Sequence, residues 1–313
     1  MTQGFMRIGK LRGAAAVAAI ALGCVASACN RPDERDDPAR LMATDTVATL
    51  VGAGDVADCD LDGAEKTARL LDTIRGTVFV AGDVGYATKR HPNPLATCYA
   101  ATWGRHRART RPTPGNHEYD RGGPGRYFDY FGDLAGPRGL GYYSYDLGTW
   151  HVLALNTSIP SGPRSPQHEW LRADLDANLG RCTIAYMHYP RFSSGPHLEQ
   201  ELVMPVWRTL VAYGVSVVVA GHDHIYERFA PLDADGTPDS VRGIRQFVVG
   251  TGGASRYDVK ATMPGSEVLA TRTLGVLKLS LLPTRYRWEF IPVRKNGFRD
   301  RGDAACRPTH APD

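Results

Sequence analysis

The sequence predicts an α/β domain, because patterns typical of buried strands and of amphipathic helices alternate along most of its length. Short apolar runs bounded by Gly and Asp are typical of buried strands, and longer segments with apolar residues every three or four positions are typical of helices. Residues that can bind metals directly follow several of the strand patterns, where the loops of such sheets gather functional side chains. Two late strand patterns without an intervening helix indicate a second sheet.

The first 28 residues are typical of a signal peptide, with basic residues ahead of an apolar stretch that is too short to span a bilayer. The basic residues are Arg7, Lys10 and Arg12, and the apolar stretch covers residues 14–26. Residues 26–28 suit an ordinary signal peptidase, whereas Cys29 could be the lipidated cysteine of a bacterial lipoprotein. We therefore expect an exported protein that is either secreted or periplasmic, or is anchored to a cell-envelope membrane through Cys29.

Residues 29–44 are rich in Asp, Arg and Pro and lack apolar periodicity, which predicts a flexible tether. A folded domain is then expected over residues 45–306, followed by a short tail at 307–313. The whole sequence has a formal net charge of +4. Removal of the signal takes away three basic residues and no acidic one, so the remaining charge is about +1. Nucleic acid is therefore not an expected partner.

The strand and helix patterns follow in order along this domain. Buried strands are predicted at residues 46–52, 78–81, 150–155, 182–187, 215–220 and 246–249, and late strands at 275–281 and 285–292. Helices are predicted at residues 62–74, 93–109, 165–178 and 198–213. The third helix has a typical beginning, because Ser165 can cap it and Pro166 fits its first turn.

Four cysteines lie in the folded domain, namely Cys59, Cys98, Cys182 and Cys306. In an oxidising compartment they are expected to pair, and three connectivities are open. We favour Cys59–Cys98 and Cys182–Cys306, because Cys59 lies just past Asp55 and Cys98 follows the loop after Tyr86. One pair could instead be free and buried. A zinc site is disfavoured because no two of these cysteines have Cys-x-x-Cys spacing.

Five short motifs contain candidate metal ligands. They are Asp55 in Gly-Asp-Val-Ala, Asp83 and Tyr86 in residues 82–86, Asn116 and His117 in Gly-Asn-His-Glu, His188 after residues 186–187, and His222 and His224 in residues 221–228. Several follow predicted strands, so their side chains are expected at one edge of a sheet. Each motif also has an ordinary explanation as a polar turn or a buried histidine. Their combination predicts a site with enough oxygen and nitrogen donors for two metal ions.

In this order the motifs resemble those of calcineurin-like metallophosphoesterases. Most members carry Asp-x-His at the first motif, whereas here Ala57 occupies the third position and Tyr86 would replace the missing ligand. This tyrosine, together with residues 221–228 and 251–253, is similar to the purple acid phosphatase branch, in which a phenolate binds ferric iron. The resemblance covers residues 45–292 and implies a metallophosphoesterase-type αββα sandwich, with two mixed β-sheets flanked by helices. The 44 residues before it are too few for the β-sandwich domain of plant members, so a catalytic domain alone is expected at 45–306.

The resemblance implies two metal ions that share Asp83. The first would bind Asp55, Asp83, Tyr86 and His224, and the second would bind Asp83, Asn116, His188 and His222. Carboxylate and phenolate oxygens suit Fe(III), whereas imidazole and amide donors suit Zn, Mn or Fe(II).

The resemblance further implies an exported phosphatase in which a metal-bound hydroxide attacks a small phosphate monoester. His117 would hold a phosphoryl oxygen or protonate the leaving group. His197 is spaced like a second substrate-site histidine, although it could also be an exposed loop residue. The alternatives are a phosphodiesterase or nucleotide hydrolase with the same metal site, or a binding lipoprotein with this fold and no activity. No motif reports the pocket shape, so the natural substrate, the second metal and the oligomeric state stay open.

Overall fold

The computed structural model describes residues 47–197 and 199–312, with the backbone alone described at positions 199 and 200. The predicted signal peptide, the tether and Cys29 lie outside the described residues. The same holds for Thr46, where the first strand was expected to begin, and for Leu198, where the fourth helix was expected to begin.

Strands make up much of the described domain. In chain order they are β1 Ala48–Ala53, β2 Thr77–Ala81, β3 Thr110–Thr113, β4 Tyr143–Leu147, β5 Trp150–Ala154, β6 Thr183–Met187, β7 Val217–Ala220, β8 Tyr226–Leu232, β9 Ile244–Val249, β10 Ser266–Ala270, β11 Gly275–Leu282, β12 Arg285–Pro292 and β13 Arg301–Ala305. The α-helices are α1 Gly63–Thr73, α2 Gly125–Phe131, α3 Pro166–Ala177 and α4 Met204–Ala212. Short 3₁₀ segments cover Trp103–Arg109, Asn116–Glu118, Gly132–Ala135 and Glu199–Val203, and a π-helical turn covers Leu95–Tyr99.

Within the described ranges these strands form two mixed sheets. The first has the order β13-β12-β11-β1-β2-β3, and the second has the order β10-β8-β9-β7-β6-β5-β4. Strands β1, β2 and β3 run parallel, as do β5, β6, β7 and β9, and the remaining pairs are antiparallel. The carboxyl ends of the parallel strands in each sheet therefore meet at one edge.

The two sheets pack face to face, with helices on their outer sides. In β7, Val217 and Val219 join the core between the sheets, whereas Val218 faces a second core with Leu171 of α3 and Leu210 of α4. This division follows from the alternation of side chains along a strand. On the other side, the buried stripe of α1 packs on the first sheet. The αββα sandwich expected from the sequence is confirmed.

The helix predicted at residues 93–109 is confirmed only in part, because the segment is divided into the π-helical turn and a 3₁₀ segment. The break falls at Thr102, which has φ −114° and ψ −94°. Next to it, the indole of the buried Trp103 donates a 2.9 Å hydrogen bond to Thr67 on α1.

Two disulfides tie the described domain together. Cys59 pairs with Cys98, and Cys182 pairs with Cys306, so the favoured connectivity is confirmed. The first bond joins the loop after β1 to the π-helical turn. The second joins the beginning of β6 to the segment after β13. No helix of the described ranges is long and apolar enough to cross a bilayer.

Candidate metal centre

Candidate ligands gather where strands of both sheets end. Asp55 and Asp83 follow β1 and β2, and their turns are joined by a hydrogen bond from the amide of Asp55 to the carbonyl of Gly82. His188 follows β6 directly, and its carbonyl accepts from the amide of Gly221 after β7. These bonds hold the loops of neighbouring strands at a fixed spacing, so side chains far apart in sequence lie close together.

One group consists of Asp55, Tyr86 and His224. The hydroxyl of Tyr86 lies 3.0 Å from Oδ1 of Asp55 and 3.0 Å from Nε2 of His224. The same imidazole nitrogen lies 3.3 Å from Oδ1 of Asp55. Three potential ligand atoms thus converge on one point.

A second group consists of Asn116, His188 and His222, with Asp83 beside it. Nε2 of His188 lies 2.9 Å from Oδ1 of Asn116, 3.2 Å from Nδ1 of His222 and 3.3 Å from Oδ2 of Asp83. Ligand atoms of Asp83, His188 and His222 all lie within 4.8 Å of one another. The structure therefore brings together all seven residues that the sequence nominated, in two adjacent groups.

The outer nitrogens of two histidines are held by backbone carbonyls. Nδ1 of His188 lies 2.9 Å from the carbonyl of Ala81, and Nδ1 of His224 lies 2.5 Å from that of Ser255. If each Nδ1 carries the proton of this bond, each Nε2 presents its lone pair to the cluster. Lone pairs of nitrogen, carboxylate and amide oxygen then face one another at about 3 Å. Cations between them would satisfy this donor set, so the residues present fit two metal ions.

In the metal-free cluster, a proton on His188 supplies the positive charge that a metal ion would otherwise bring. Burial disfavours a charge on Asp83, but the adjacent His188 and then His117 outweigh it, so the pKa of Asp83 is lowered. Burial opposes the charge on His188 as well, yet Asp83 raises the pKa of His188 to about 9. Burial, and next the positive charge of His188, lower the pKa of His222.

The surroundings of Tyr86 disfavour the phenolate form in the metal-free protein. Burial, followed by the charges of Asp55 and Asp83, raises the pKa of Tyr86 well above its usual value. The phenol therefore keeps its proton in the metal-free protein. A nearby cation of high charge would reverse this balance, because it stabilises the phenolate.

The backbone at the ligand positions is unusual. Asp55, Asp83 and His222 have positive φ values of 62°, 49° and 69°. Such left-handed geometry costs a non-glycine residue about 1–3 kcal/mol and persists where surrounding contacts fix it. The space around it is tight, because a Cβ atom on Gly115 would lie 2.2 Å from Oδ1 of Asp83.

Glu118 holds the Asp83 loop in place. Its carboxylate accepts hydrogen bonds from the amides of Gly115 at 2.7 Å, Asp83 at 2.9 Å and Val84 at 2.9 Å. Burial and the charge of Asp83 raise the pKa of Glu118 to about 8, although these backbone donors lower it. Glu118 therefore acts on the site through the backbone of the Asp83 loop.

His117 and His197 both lie at the rim of the cluster. Nε2 of His117 is 3.9 Å from Oδ2 of Asp83, and its Nδ1 is 2.9 Å from Oδ2 of Asp120. Nδ1 of His197 is 2.7 Å from Oδ1 of Asp223, and its ring centre is 4.3 Å from that of His222. Their side chains are 36% and 33% exposed, so both can meet a bound molecule.

Sequence reasoning missed two residues that contact the site. Tyr257 stacks on His224 with ring centres 4.2 Å apart, and Asp120 pairs with His117. Tyr257 follows the Gly252–Gly253 turn that the resemblance singled out, which was a usable signal. Asp120 has no local pattern that marks it.

Residues 46–226 match the family model for calcineurin-like phosphoesterase. Together with the αββα sandwich and the ligand cluster, this match shows the class of the protein. The chain belongs to the calcineurin-like phosphoesterase family.

Curated relatives indicate the branch of this family. The chain is 30% identical to purple acid phosphatase 21 of Arabidopsis thaliana over 194 residues, which cover 55% of this chain and 44% of that protein. It is 31% identical to the uncharacterized protein Rv2577 of Mycobacterium tuberculosis over 193 residues, which cover 46% of this chain and 35% of that protein. The chain therefore spans less than half the length of these relatives, and it is purple acid phosphatase-like.

Solved structures show the same fold. The purple acid phosphatase PPD1 from yellow lupin matches with a TM-score of 0.64 and 20% identity, covering 84% of this chain and 54% of that chain. GAP50 of Plasmodium, described as the anchor in the inner membrane complex, matches with a TM-score of 0.65 and 14% identity. The match covers 83% of this chain and 89% of that chain. At these identities the likeness concerns the fold alone.

Proposed function

We propose that the chain is an exported, metal-dependent phosphatase that hydrolyses small phosphate monoesters. The observation that carries the proposal is the position of Asp83 between the two ligand groups. Its Oδ2 lies 3.3 Å from Nε2 of His188, and its carbonyl accepts a 2.9 Å hydrogen bond from the amide of Val56, next to Asp55 of the other group. A carboxylate in this position can serve two metal ions at once.

The residues that would hold the ions divide as the resemblance implies. Asp55, Asp83, Tyr86 and His224 would hold the first, and Asp83, Asn116, His188 and His222 the second. We propose Fe(III) for the first, because of its carboxylate and phenolate oxygens, and Zn, Mn or Fe(II) for the second. When bound, such ions supply charge stabilisation for a phosphoryl group and lower the pKa of bound water.

His117 would act on the bound ester from one side. Its Nδ1 lies 2.9 Å from the carboxylate of Asp120, which orients the ring. An Nε2–H on this ring would donate to a phosphoryl oxygen or give its proton to the leaving oxygen. Its exposure leaves this nitrogen accessible to the substrate.

His197 would act in a similar way from the side of His222. Its partner Asp223 is fully buried and also accepts a hydrogen bond from the hydroxyl of Ser193, which fixes the orientation of the carboxylate. Two histidine donors on different sides can contact the non-bridging oxygens of one phosphoryl group. This arrangement suits a monoester, whose terminal phosphoryl group presents more than one charged oxygen.

Export is a separate part of the proposal. The signal-like residues 1–28 and the two disulfides support it, because such bonds persist in oxidising compartments. Membrane anchoring through Cys29 is tested by mass spectrometry of the mature amino terminus. A lipid mass on Cys29 supports anchoring, whereas cleavage after residue 28 without lipid supports release.

Activity is tested by hydrolysis of p-nitrophenyl phosphate against bis-p-nitrophenyl phosphate, with the purified, metal-loaded protein. We expect a strong preference for the monoester, and no turnover by the Asp83→Ala variant. A diester preference would keep the metal site and identify a phosphodiesterase instead. Absence of both activity and bound metal would support a binding protein that has kept the fold.

A further inference from the structure

A groove with basic walls lies beside the metal centre. It consists of two adjoining cavities of about 470 and 610 Å³, which share Asp62, Arg256, Arg272, Leu274 and Arg294. Pairing of Gly52 with Leu277, and of Gly275 with Pro292, brings the loops before β11 and after β12 to the edge where β1 ends. Asp55 lies at this same edge, so the groove and the ligand cluster share one edge of the first sheet.

The groove has a surplus of positive charge. Two of its cations are already paired, Lys66 with Asp62 at 2.6 Å and Arg272 with Asp258 through two bonds of 2.9 Å. Arg256 and Arg294 are exposed, and no described residue forms an ion pair or hydrogen bond with either guanidinium. These two planar groups are free to bind phosphate oxygens with paired hydrogen bonds.

One short segment links the groove to the cluster. The carbonyl of Ser255 accepts from His224, and the ring of Tyr257 stacks on the same imidazole. Arg256 lies between these two residues and lines the groove, as Ser255 does. Given the reach of an arginine side chain, an anion held by Arg256 would lie on the order of 10 Å from His224.

We propose that this groove binds a second phosphate group of the substrate, so that the preferred substrates are small molecules with two or more phosphates. The inference rests on the proposed phosphatase function, since the other phosphate would occupy the metal centre. Arg256 and Arg294 would bind the phosphate that is not being hydrolysed. They would thereby select substrates by the distance between the two phosphates of the substrate.

The first test compares turnover of fructose 6-phosphate and fructose 1,6-bisphosphate by the metal-loaded protein. We expect the wild type to favour the bisphosphate in kcat/KM by about tenfold or more, the effect of about one charge-assisted hydrogen bond. The double variant Arg256→Ala/Arg294→Ala should lose this preference. Arg287→Ala, which removes an exposed arginine of β12 outside the groove, should keep it.

The second test does not depend on turnover. Calorimetry on the metal-loaded protein compares hexylphosphonate with hexane-1,6-bisphosphonate, which differ in the second anionic group and whose chain can reach from the metal centre to the anion position at Arg256. We expect the bisphosphonate to bind wild type about tenfold more tightly, and the double variant to bind both alike. Equal affinities in wild type would overturn the inference. Hydrolysis of p-nitrophenyl phosphate decides the proposed function separately, because that substrate has a single phosphate.

Discussion

At the scale of single residues, Asp83 is the position on which the site depends most. Its amide donates to Glu118, its carboxylate accepts from the amide of His117 at 3.0 Å, and Gly115 packs against it. Its backbone is thus fixed before any ligand binds. A side chain held in this way keeps Oδ2 directed at the second ligand group, 3.3 Å from Nε2 of His188.

Replacement of Asp83 should therefore empty the site. We expect Asp83→Ala to lower the metal content at both positions and to reduce turnover by at least about a thousandfold, since charge stabilisation is lost. Metal analysis of the purified variant measures this, and Asp83→Asn serves as the variant of equal shape. Full loading of the alanine variant would show that Asp83 is not shared.

Tyr86 should determine the colour of an iron-loaded protein. We expect Tyr86→Phe to abolish visible absorption while changing the free energy of unfolding by about 1 kcal/mol, the value of one lost hydrogen bond. Absorption spectra and chemical denaturation measure the two effects. Visible absorption retained by the variant would assign the chromophore to another residue.

His188 should make the metal-free protein sensitive to alkaline pH. The pKa of His188 is raised from 6.5 to about 9 in the folded state. The contribution of His188 to the free energy of unfolding is therefore complete below pH 6.5 and is lost as the pH rises through 9. For this buried group, the free energy of unfolding falls by roughly 3 kcal/mol over that range. Denaturation of metal-free protein at pH 6.5 and 9.5 measures it, with His188→Gln as the control that lacks this component. An equal fall in the free energy of unfolding in the wild type and in His188→Gln would exclude His188 as its cause.

At the scale of elements, the Cys59–Cys98 disulfide supports the two loops that carry Asp55 and Tyr86. The same loops are joined by a parallel bridge between Ala57 and Gly85, and by a hydrogen bond from the amide of Tyr86 to the carbonyl of Ala57. The first ligand group therefore depends on a covalent link that lies outside the sheets.

Removal of this disulfide should affect both stability and the metal centre. The bond spans 39 residues, so we expect Cys59→Ala/Cys98→Ala to lower the free energy of unfolding by about 4 kcal/mol. It should also speed metal loss to a chelator. The matched control is Cys182→Ala/Cys306→Ala, which opens a span of 124 residues away from the loops of Asp55 and Tyr86. Faster metal loss from the control would contradict the proposed support.

The elements that the sequence predicted well are those with continuous apolar cores. Strands β1, β2, β5, β6, β7 and β9 are buried along most of their length, and each was predicted within a few residues. Strands β4, β10 and β13 lie at or near sheet edges and are partly exposed, so no apolar pattern marks them. β13, with the sequence Arg-Gly-Asp-Ala-Ala, is extended because it pairs with β12.

The candidate site was more predictable than the edges of the sheets. Several of its ligands follow predicted strands, so chain order already placed Asp55, Asp83 and His188 at strand ends. The arginines of the groove belong to loops whose positions depend on how the sheets pack. Local sequence carries no information on that packing, and the structure was needed to find them.

At the scale of the whole molecule, the ligands come from both sheets. Asp55, Asp83 and Asn116 lie on loops of the first sheet, whereas His188, His222 and His224 lie on loops of the second. Bound ions would therefore join the two layers at their shared edge. Their binding would add to the apolar packing between the layers.

Chelation should consequently destabilise the whole fold. Ions at about a thousand times their Kd contribute about 4 kcal/mol, which corresponds to a fall of about 10 °C in Tm for a domain of this size. Calorimetry with and without chelator measures the shift. The Asp83→Ala variant should show no shift, and an unchanged Tm in wild type would show that the ions do not join the sheets.

The left-handed backbone at Asp55, Asp83 and His222 bears on the order of events during maturation. Protein groups fix these conformations, as when the amide of His222 donates to Oδ2 of Asp55 at 2.8 Å. The chain can thus complete its fold first and acquire its ions last. A polypeptide exported before it folds would not have to carry metals with it. The metals that it finally contains would then reflect the supply outside the cell.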